Sequence, residues 1–349
     1  AQAEFEDAAK GEFIASMDDI AQVAEKDGWD PYTGVMTRTW NNQAMSTTFN
    51  NLVVGLGGVE FPVPDELKSN LKDPYTYLGQ NVSLHFPTTT NDPCAGYFFD
   101  GIPQYIDPRA PQLYSIPGYD DGVVYPSYIG AASEVKDEIT LIAGDYTDVL
   151  TGQKVSAPEV KLPMKYSWTT VVAGNWNDKA GLVGDYTSYN YNFPSLADKF
   201  RHSTNKRVWF GPWESYFLLA EAAVYGWNVP GSAKDNYEKG IAASFEYNGV
   251  SDKLLEYLQS KAYNRVGTSV AFDHTVEAKA YMINYYDAYT KQNKTTTYEY
   301  PKNTIYKNGQ YNNDALTKII TQKFIAQNPW LPLEVWSDHR RLGLPFFEN

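Results

Sequence analysis

The stretch "RVWFGPWESYFLLAEAAVYGWNVPGSAKDNYEKGIAASFEYNGVS" runs from Arg207 to Ser251 and is the most regular segment of the 349-residue chain. Trp213, Phe217, Ala220 and Val224 recur at helical spacing and form one apolar face. The "VPGS" at 229–232 breaks that pattern. Ala233, Tyr237, Gly240 and Ile241 resume it on a second helix. Two such helices joined by a short turn pack antiparallel. Ala233, Tyr237 and Gly240 also fit the second helix of a tetratricopeptide repeat, which needs small residues where helices touch. The first helix fits that repeat only in its hydrophobic pattern, and no period of about 34 residues recurs along the chain.

Upstream, Phe5, Ala9, Phe13, Met17, Ile20 and Ala24 fall at three- and four-residue steps and predict a helix from Glu4 to Lys26, stopped by "DGWDPYTG" at 27–34. Residues 49–130 are dense in Pro, Gly, Asn and Asp and read as long ordered loops. Val135 to Val155 reads as a hairpin or a pair of short strands. Downstream, helices are predicted from Asp252 to Tyr263, from Val276 to Tyr289, around Leu316, Ile319, Ile320 and Phe324, and within the closing "NPWLPLEVWSDHRRLGLPFFEN". The expected fold is all-α, mainly helical, with helix pairs, long ordered loops and at most short hairpins. Residues 1–349 are read as a single unit.

Composition narrows the function. A 43% hydrophobic, 20% charged chain folds. Its net charge of −13, with no Lys/Arg cluster, argues against nucleic acid as a partner. Aromatic content is high: 28 Tyr, 16 Phe and 9 Trp supply either core or a surface that stacks flat apolar faces. Cys94 is the sole cysteine, so an intramolecular disulfide is impossible, and no His neighbours it to activate the thiol. No apolar run reaches transmembrane length. The chain opens on "AQAEFEDAAK" without an initiator Met and reads as processed or trimmed.

The usual catalytic patterns are missing. His85, His202, His274 and His339 do not pair at metal-ligand spacing, and no metal or cofactor is expected. "GLGG" at 55–58 lacks the strand, helix and Lys of a phosphate loop, and no GxSxG elbow occurs. "NWND" and "GYDDG" offer oxygen ligands for Ca²⁺ but lack the alternating acids of an EF-hand. The 42 acidic residues leave a glycosidase carboxylate pair open. A sugar ring presents an apolar C–H face and hydroxyl edges, so stacking aromatics interleaved with Asn and Asp are the pattern that binds it. Trp168, Asn175, Trp176, Asn177, Asp178, Tyr186 and Tyr189 carry that pattern, with Trp29 and Trp40 in a second group.

Three blocks, in order, resemble the SusD/RagB family. "FFDGIPQYIDPRAPQLY" contains Asp107-Pro108-Arg109. "WESYFLLAEAAVYGW" is followed by "NYEKGIAASFEYNGV". "IITQKFIAQNPWLPLEVWSDHRRLGLP" carries Gln322, Lys323, Glu334, Trp336, Arg340, Arg341, Gly343 and Pro345. The resemblance implies a cell-surface, lipid-anchored outer-membrane protein of the Bacteroidetes on a tetratricopeptide-like scaffold. It also implies a non-enzymatic role in polysaccharide utilization and nutrient uptake: binding glycan for a TonB-dependent, SusC-like transporter. Family members are longer, so a part before residue 1, carrying the lipid anchor, and an end beyond residue 349 are expected. The residues of the blocks also have a reading of their own. Glu221 in an apolar helix needs a cation, and Arg340 or Arg341 can supply it. Asp107-Pro108-Arg109 reads as a turn with an arginine ready to pair, so these charges are expected as staples of the scaffold. The competing readings are an all-α glycoside hydrolase and a helical-repeat scaffold for peptides or proteins.

Overall fold

Pro212, whose fixed φ suits a first helical turn, starts one helix of the 207–251 stretch, and Ser232 starts the other. A computed structural model of the chain describes residues 1–24, 44–81, 97–119, 137–142, 145–147, 151–156, 159–163, 165–169, 194–200 and 205–347. Its helices are α1 (Gln2–Ala8), α2 (Thr47–Val53), α3 (Ala110–Leu113), α4 (Pro212–Val224), α5 (Ala233–Asn248), α6 (Leu254–Gln259), α7 (Ala315–Gln327) and α8 (Pro332–Leu342). Its strands are β1 (Ala21–Ala24), β2 (Leu71–Lys72), β3 (Tyr77–Asn81), β4 (Tyr97–Phe98), β5 (Ile102–Pro103), β6 (Glu138–Ile142), β7 (Tyr146–Thr147), β8 (Lys154–Val155), β9 (Val160–Pro163), β10 (Lys206–Phe210), β11 (Tyr281–Asp287) and β12 (Gln292–Tyr298).

The α4–α5 pair forms as read. Ser232 and Asp235 make a reciprocal capping box at the start of α5, and Gly249 at φ 72° ends it. Trp213 packs on Tyr247 at 4.9 Å and Phe217 on Tyr237 at 6.5 Å, so the two helices run antiparallel. Gly240 sits beneath the Phe217 ring, where an added Cβ would lie 2.7 Å from it. Val224, expected on the buried face, is exposed at the end of α4.

Helix α7 is the centre of the molecule. Every residue from Leu316 to Gln327 is buried, including two threonines and four longer polar side chains at near-helical spacing. Lys318, Gln322, Lys323 and Gln327 therefore each need a partner from another element. Gln322 accepts from Arg109 (2.6 Å) and donates to Tyr257 (2.8 Å). Lys323 pairs with Glu214 (3.0 Å) and Asp338 (2.8 Å), and Gln327 donates to Glu214. Burial pulls the Lys323 ammonium down, but its two carboxylates more than compensate and hold it above its ordinary value. The expected staples are present. Arg341 pairs with Glu221 through both terminal nitrogens and with Asp338 at 2.7 Å, and Arg109 pairs with Asp107 at 2.7 Å.

Two predicted helices are corrected. Of Glu4 to Lys26, only Gln2–Ala8 contributes an α-helix; a turn at Lys10-Gly11 follows, and Ala21–Ala24 becomes an edge strand on β10. Val276 to Tyr289 is a loop followed by β11. Ile283 points inward at 1% exposure and Met282 outward at 63%, the two-residue alternation of a strand. Tyr and Ile favour that conformation, and β12 supplies a seven-residue antiparallel partner. The result is a four-stranded mixed sheet in the order β12-β11-β3-β4, so the described residues hold more sheet than the short hairpins expected of an all-α chain. Within Val135 to Val155, β7 pairs with β8 as a hairpin, whereas β6 pairs with β9 outside that span.

Asp314 caps α7 by accepting from the Thr317 backbone N–H at 2.9 Å. Its other oxygen accepts from Tyr306 and Lys307. Burial raises its pKa, but these hydrogen bonds outweigh burial and hold the carboxyl below its ordinary value. A carboxyl with a lowered folded pKa adds stability above its unfolded pKa, near 4, and loses it as pH falls through the folded value. Asp314→Ala is expected to cost about 1 kcal/mol near neutral pH. In urea titrations the difference from wild type should shrink as pH falls below about 4.

Candidate functional site

Four tyrosines from three distant segments meet beside the mixed sheet. Tyr281 opens β11 and stands opposite Tyr298 of β12, with ring centroids 5.4 Å apart. Tyr300 follows β12 and lies 5.9 Å from Tyr281. Tyr263 bridges to Ser269 across a turn, in which Asn264 Oδ1 accepts from the Val266 and Thr268 N–H groups. The Tyr263 and Tyr300 rings are 6.1 Å apart. Tyr75 arrives from the loop between β2 and β3, where the Asp73 side chain accepts from its N–H.

These rings line an open cavity of about 480 Å³ together with Ala262, Val276, Glu277 and Lys279. Two hydroxyls anchor the cup to its frame: Tyr75 donates to the Gly55 carbonyl at 2.8 Å and Tyr263 to the Val276 carbonyl at 2.9 Å. All four rings are half-buried. Burial is the main cause that pushes the phenols of Tyr75, Tyr263 and Tyr300 upward, so they remain neutral donors at physiological pH. Glu277 accepts from the N–H groups of Asn312 (2.9 Å) and Asn313 (3.2 Å), which fixes its carboxylate at the wall. Lys279 is exposed at the rim. A rigid aromatic cup with a few fixed polar groups suits a neutral ligand that has a flat apolar face and a hydroxylated edge.

A larger groove of about 900 Å³ lies between α4 and α8, with Trp209, Tyr225 and Trp227 among its lining residues. Glu214, Glu221, Lys323, Asp338 and Arg341 of its lining hold one another, while Glu334 and Ser337 also line it.

The sequence-predicted site residues divide into two groups. Trp168 is corrected: it is 0% exposed, its ring meets Phe61 edge-on at 5.3 Å, and its backbone N–H donates to the Gly101 carbonyl. A side chain in that position is core and offers no face to a ligand. Asn175, Trp176, Asn177, Asp178, Tyr186, Tyr189, Trp29 and Trp40 lie outside the described residues. The cup tyrosines were missed, although "YMINYYDAYT" and "TTTYEY" carry a visible density of Tyr. Among the described residues no group of three or more His, Cys, Asp or Glu side chains is arranged to hold a metal ion. Among them also, no helix is long and apolar enough to cross a membrane.

Residues 178–349 match a family model described as "SusD-like: Susd and RagB outer membrane lipoprotein". The fold is similar to that of a SusD homologue from Parabacteroides distasonis, with 24% identity and a TM-score of 0.54 over 95% of this chain and 46% of that one. A SusD homologue from Bacteroides vulgatus is 20% identical over 99% of this chain and 46% of its own, with a TM-score of 0.47. A chitin-binding SusD homologue from Flavobacterium johnsoniae is 26% identical over 48% of this chain and 30% of its own, with a TM-score of 0.32. None of the curated proteins matches the chain. The chain thus spans about half the length, 46%, of the first two solved structures. The chain thus matches the SusD/RagB family model over residues 178–349 and shares the fold of a solved SusD homologue.

Proposed function

We propose that the protein is a non-enzymatic glycan-binding component of the bacterial cell surface and that the tyrosine cup holds a sugar of its ligand. The observation that carries this reading is the cup itself: four half-buried tyrosine rings around 480 Å³, with Glu277 and Lys279 at its wall and rim. A sugar stacks its C–H face on such rings and directs its hydroxyls to the polar edge. Glycoside hydrolysis uses two carboxylates, whereas Glu277 is the single carboxylate lining the cup among the described residues, and this favours binding over the hydrolase reading. Asn175, Trp176, Asn177, Asp178, Tyr186 and Tyr189, with Trp29 and Trp40, are proposed as further contacts along the same glycan. The family's description as outer membrane lipoproteins supports a lipid-anchored place at the outer membrane. Delivery of the sugar to a TonB-dependent, SusC-like transporter is the corresponding proposal for the partner.

Isothermal titration against maltohexaose, cellohexaose and chitohexaose tests the reading. Tyr281→Ala and Tyr300→Ala are each expected to weaken the best of these ligands by roughly thirtyfold, since an aromatic at the centre of a site contributes about 2 kcal/mol. Both rings also pack against the small core of Leu78, Ile283 and Tyr298, so the melting temperature is measured on each variant and affinity is compared in variants that retain the fold. Undiminished affinity in both folded variants would remove the cup from the site. Reducing ends should not accumulate on incubation with the bound sugar.

A further inference from the structure

Beneath the cup lies an ammonium group with no carboxylate of the described residues in contact. Lys318 is 0% exposed, and its Nζ donates to the Ser269 carbonyl (2.7 Å), the Ser269 hydroxyl (2.7 Å) and Asn313 Oδ1 (2.6 Å). All three N–H bonds are used, each on a neutral acceptor. Asn313 turns its amide the other way, donating from Nδ2 to the carbonyls of His274 (2.9 Å) and Val276 (2.7 Å). The backbone N–H of Asn313 and that of Asn312 hold Glu277. Val276 in turn accepts from the Tyr263 hydroxyl, and Ser269 Oγ lies 2.9 Å from His274 Nδ1. Three members of the cup, Tyr263, Val276 and Glu277, are therefore tied to Lys318 through one asparagine.

We propose that Lys318 is a positioning residue for the tyrosine cup: its ammonium clamps Asn313 and Ser269, so that the 274–277 wall is set for ligand when Lys318 is protonated and loosened when it is not. This inference rests on the cup as the glycan site. When the ammonium gives its proton to solvent, the amine keeps two N–H bonds for three acceptors. Asn313 Oδ1 or Ser269 then loses the lysine's donor, and the amide that pins the wall is held less firmly, with the Ser269 N–H (2.8 Å) and hydroxyl (3.0 Å) left to hold Asn313 Oδ1. The groups facing Lys318 are Glu277 and His274 from the wall and Asp314 from its own helix, the last already engaged by Tyr306 and Lys307. Burial lowers Lys318 to about 7, with Glu277 and Asp314 opposing only in part, so the change falls in the physiological range. Burial, with the charges of Lys318 and Lys261, also lowers His274, which stays neutral there.

Two trends of opposite sign separate this role from a purely structural one. A lysine whose folded pKa lies below its unfolded value of about 10.4 makes the fold more stable as pH rises from 7 towards 10. Glycan affinity, by contrast, should fall several-fold between pH 6 and 8.5. Binding of the sugar at pH 7.5 should take up protons, read by titration in buffers of different ionisation enthalpy. Lys318→Met should bind weakly with a flat profile and no proton uptake. As a measurement independent of sugar and of the variant's folding, hydrogen exchange across 270–281 in the wild type, referred to free-peptide rates, should lose protection through pH 7. If none of the three hexasaccharides binds but protection still falls, the cup reading fails and the clamp stands. Protection and affinity that are both flat from pH 6 to 8.5 overturn the proposal.

Discussion

Asp107→Ala is expected to destabilise the protein by about 3–5 kcal/mol, the usual penalty for leaving a fully buried charge without its partner. Asp107 and Arg109 are both 0% exposed. The guanidinium donates from Nε to Asp107 Oδ1 (2.9 Å) and from Nη2 to Asp107 Oδ2 (2.7 Å). It also donates to Ser244 of α5 (3.0 Å), Tyr257 of α6 (3.2 Å) and Gln322 of α7 (2.6 Å). The Tyr257 hydroxyl donates to Asp107 as well. Burial alone would lower the arginine, yet Asp107 and Tyr257 hold it above its ordinary value, so it stays charged. Removing the aspartate thus strands a cation among three helices. Urea denaturation followed by far-UV circular dichroism measures the loss. The double variant Asp107→Leu/Arg109→Met should recover much of it, because an apolar pair of similar volume avoids both desolvation penalties. A single variant within about 1 kcal/mol of wild type would mean that water or a new partner reaches Arg109.

Gly79→Ala is expected to cost about 3 kcal/mol or more and to disturb the cup as well. Gly79 lies in β3 with φ +88°, a region where a side chain strains the backbone by about 1–2 kcal/mol. Its added Cβ would sit 1.5 Å from the Phe98 carbonyl oxygen and 2.4 Å from the carbon. These are main-chain atoms of the neighbouring strand, so relief requires β3 and β4 to part. β3 also pairs with β11, which begins at Tyr281, so the displacement reaches the proposed sugar site. Denaturation midpoint and glycan affinity measured on the same variant should both fall. An unchanged midpoint would show that β4 can shift without loss.

The helix pair at 212–248, the central helix 315–327 and the closing helix 332–342 were legible because each carries an apolar repeat and local punctuation: Pro212, Ser232, Asp314 and Pro332 at the starts, and Gly249 and Gly343 at the ends of 233–248 and 332–342. That Glu221 needs Arg340 or Arg341, and Arg109 a partner, was legible for a different reason, while the structure supplies Arg341 and Asp107 as those partners. A charged residue inside an apolar pattern must find an opposite charge, whatever the topology. Strands were harder to read. Tyr281–Asp287 reads as helix because helical steps can be found in any Tyr-rich run, while the pairing that makes it a strand comes from Gln292–Tyr298 across a turn and from Tyr77–Asn81 far upstream. Trp168 shows the same limit. Its aromatic, polar neighbourhood reads as a ligand loop, yet contact with Phe61, over a hundred residues earlier, makes it core.

By itself, then, the sequence determined the helical scaffold and its ion-pair staples, and the order of its three blocks pointed to the family. These rest on local periodicity and on the electrostatic need of a buried charge for a partner, both written in short stretches of chain. Only the tertiary structure decided which aromatics line a cavity. Tyr75, Tyr263, Tyr281 and Tyr300 are separated by up to 225 positions and become one cup only when the mixed sheet closes β11 against β3. Side-chain exposure is a property of long-range packing, and no local pattern distinguishes a tyrosine that lines a cavity from a tryptophan that fills the core.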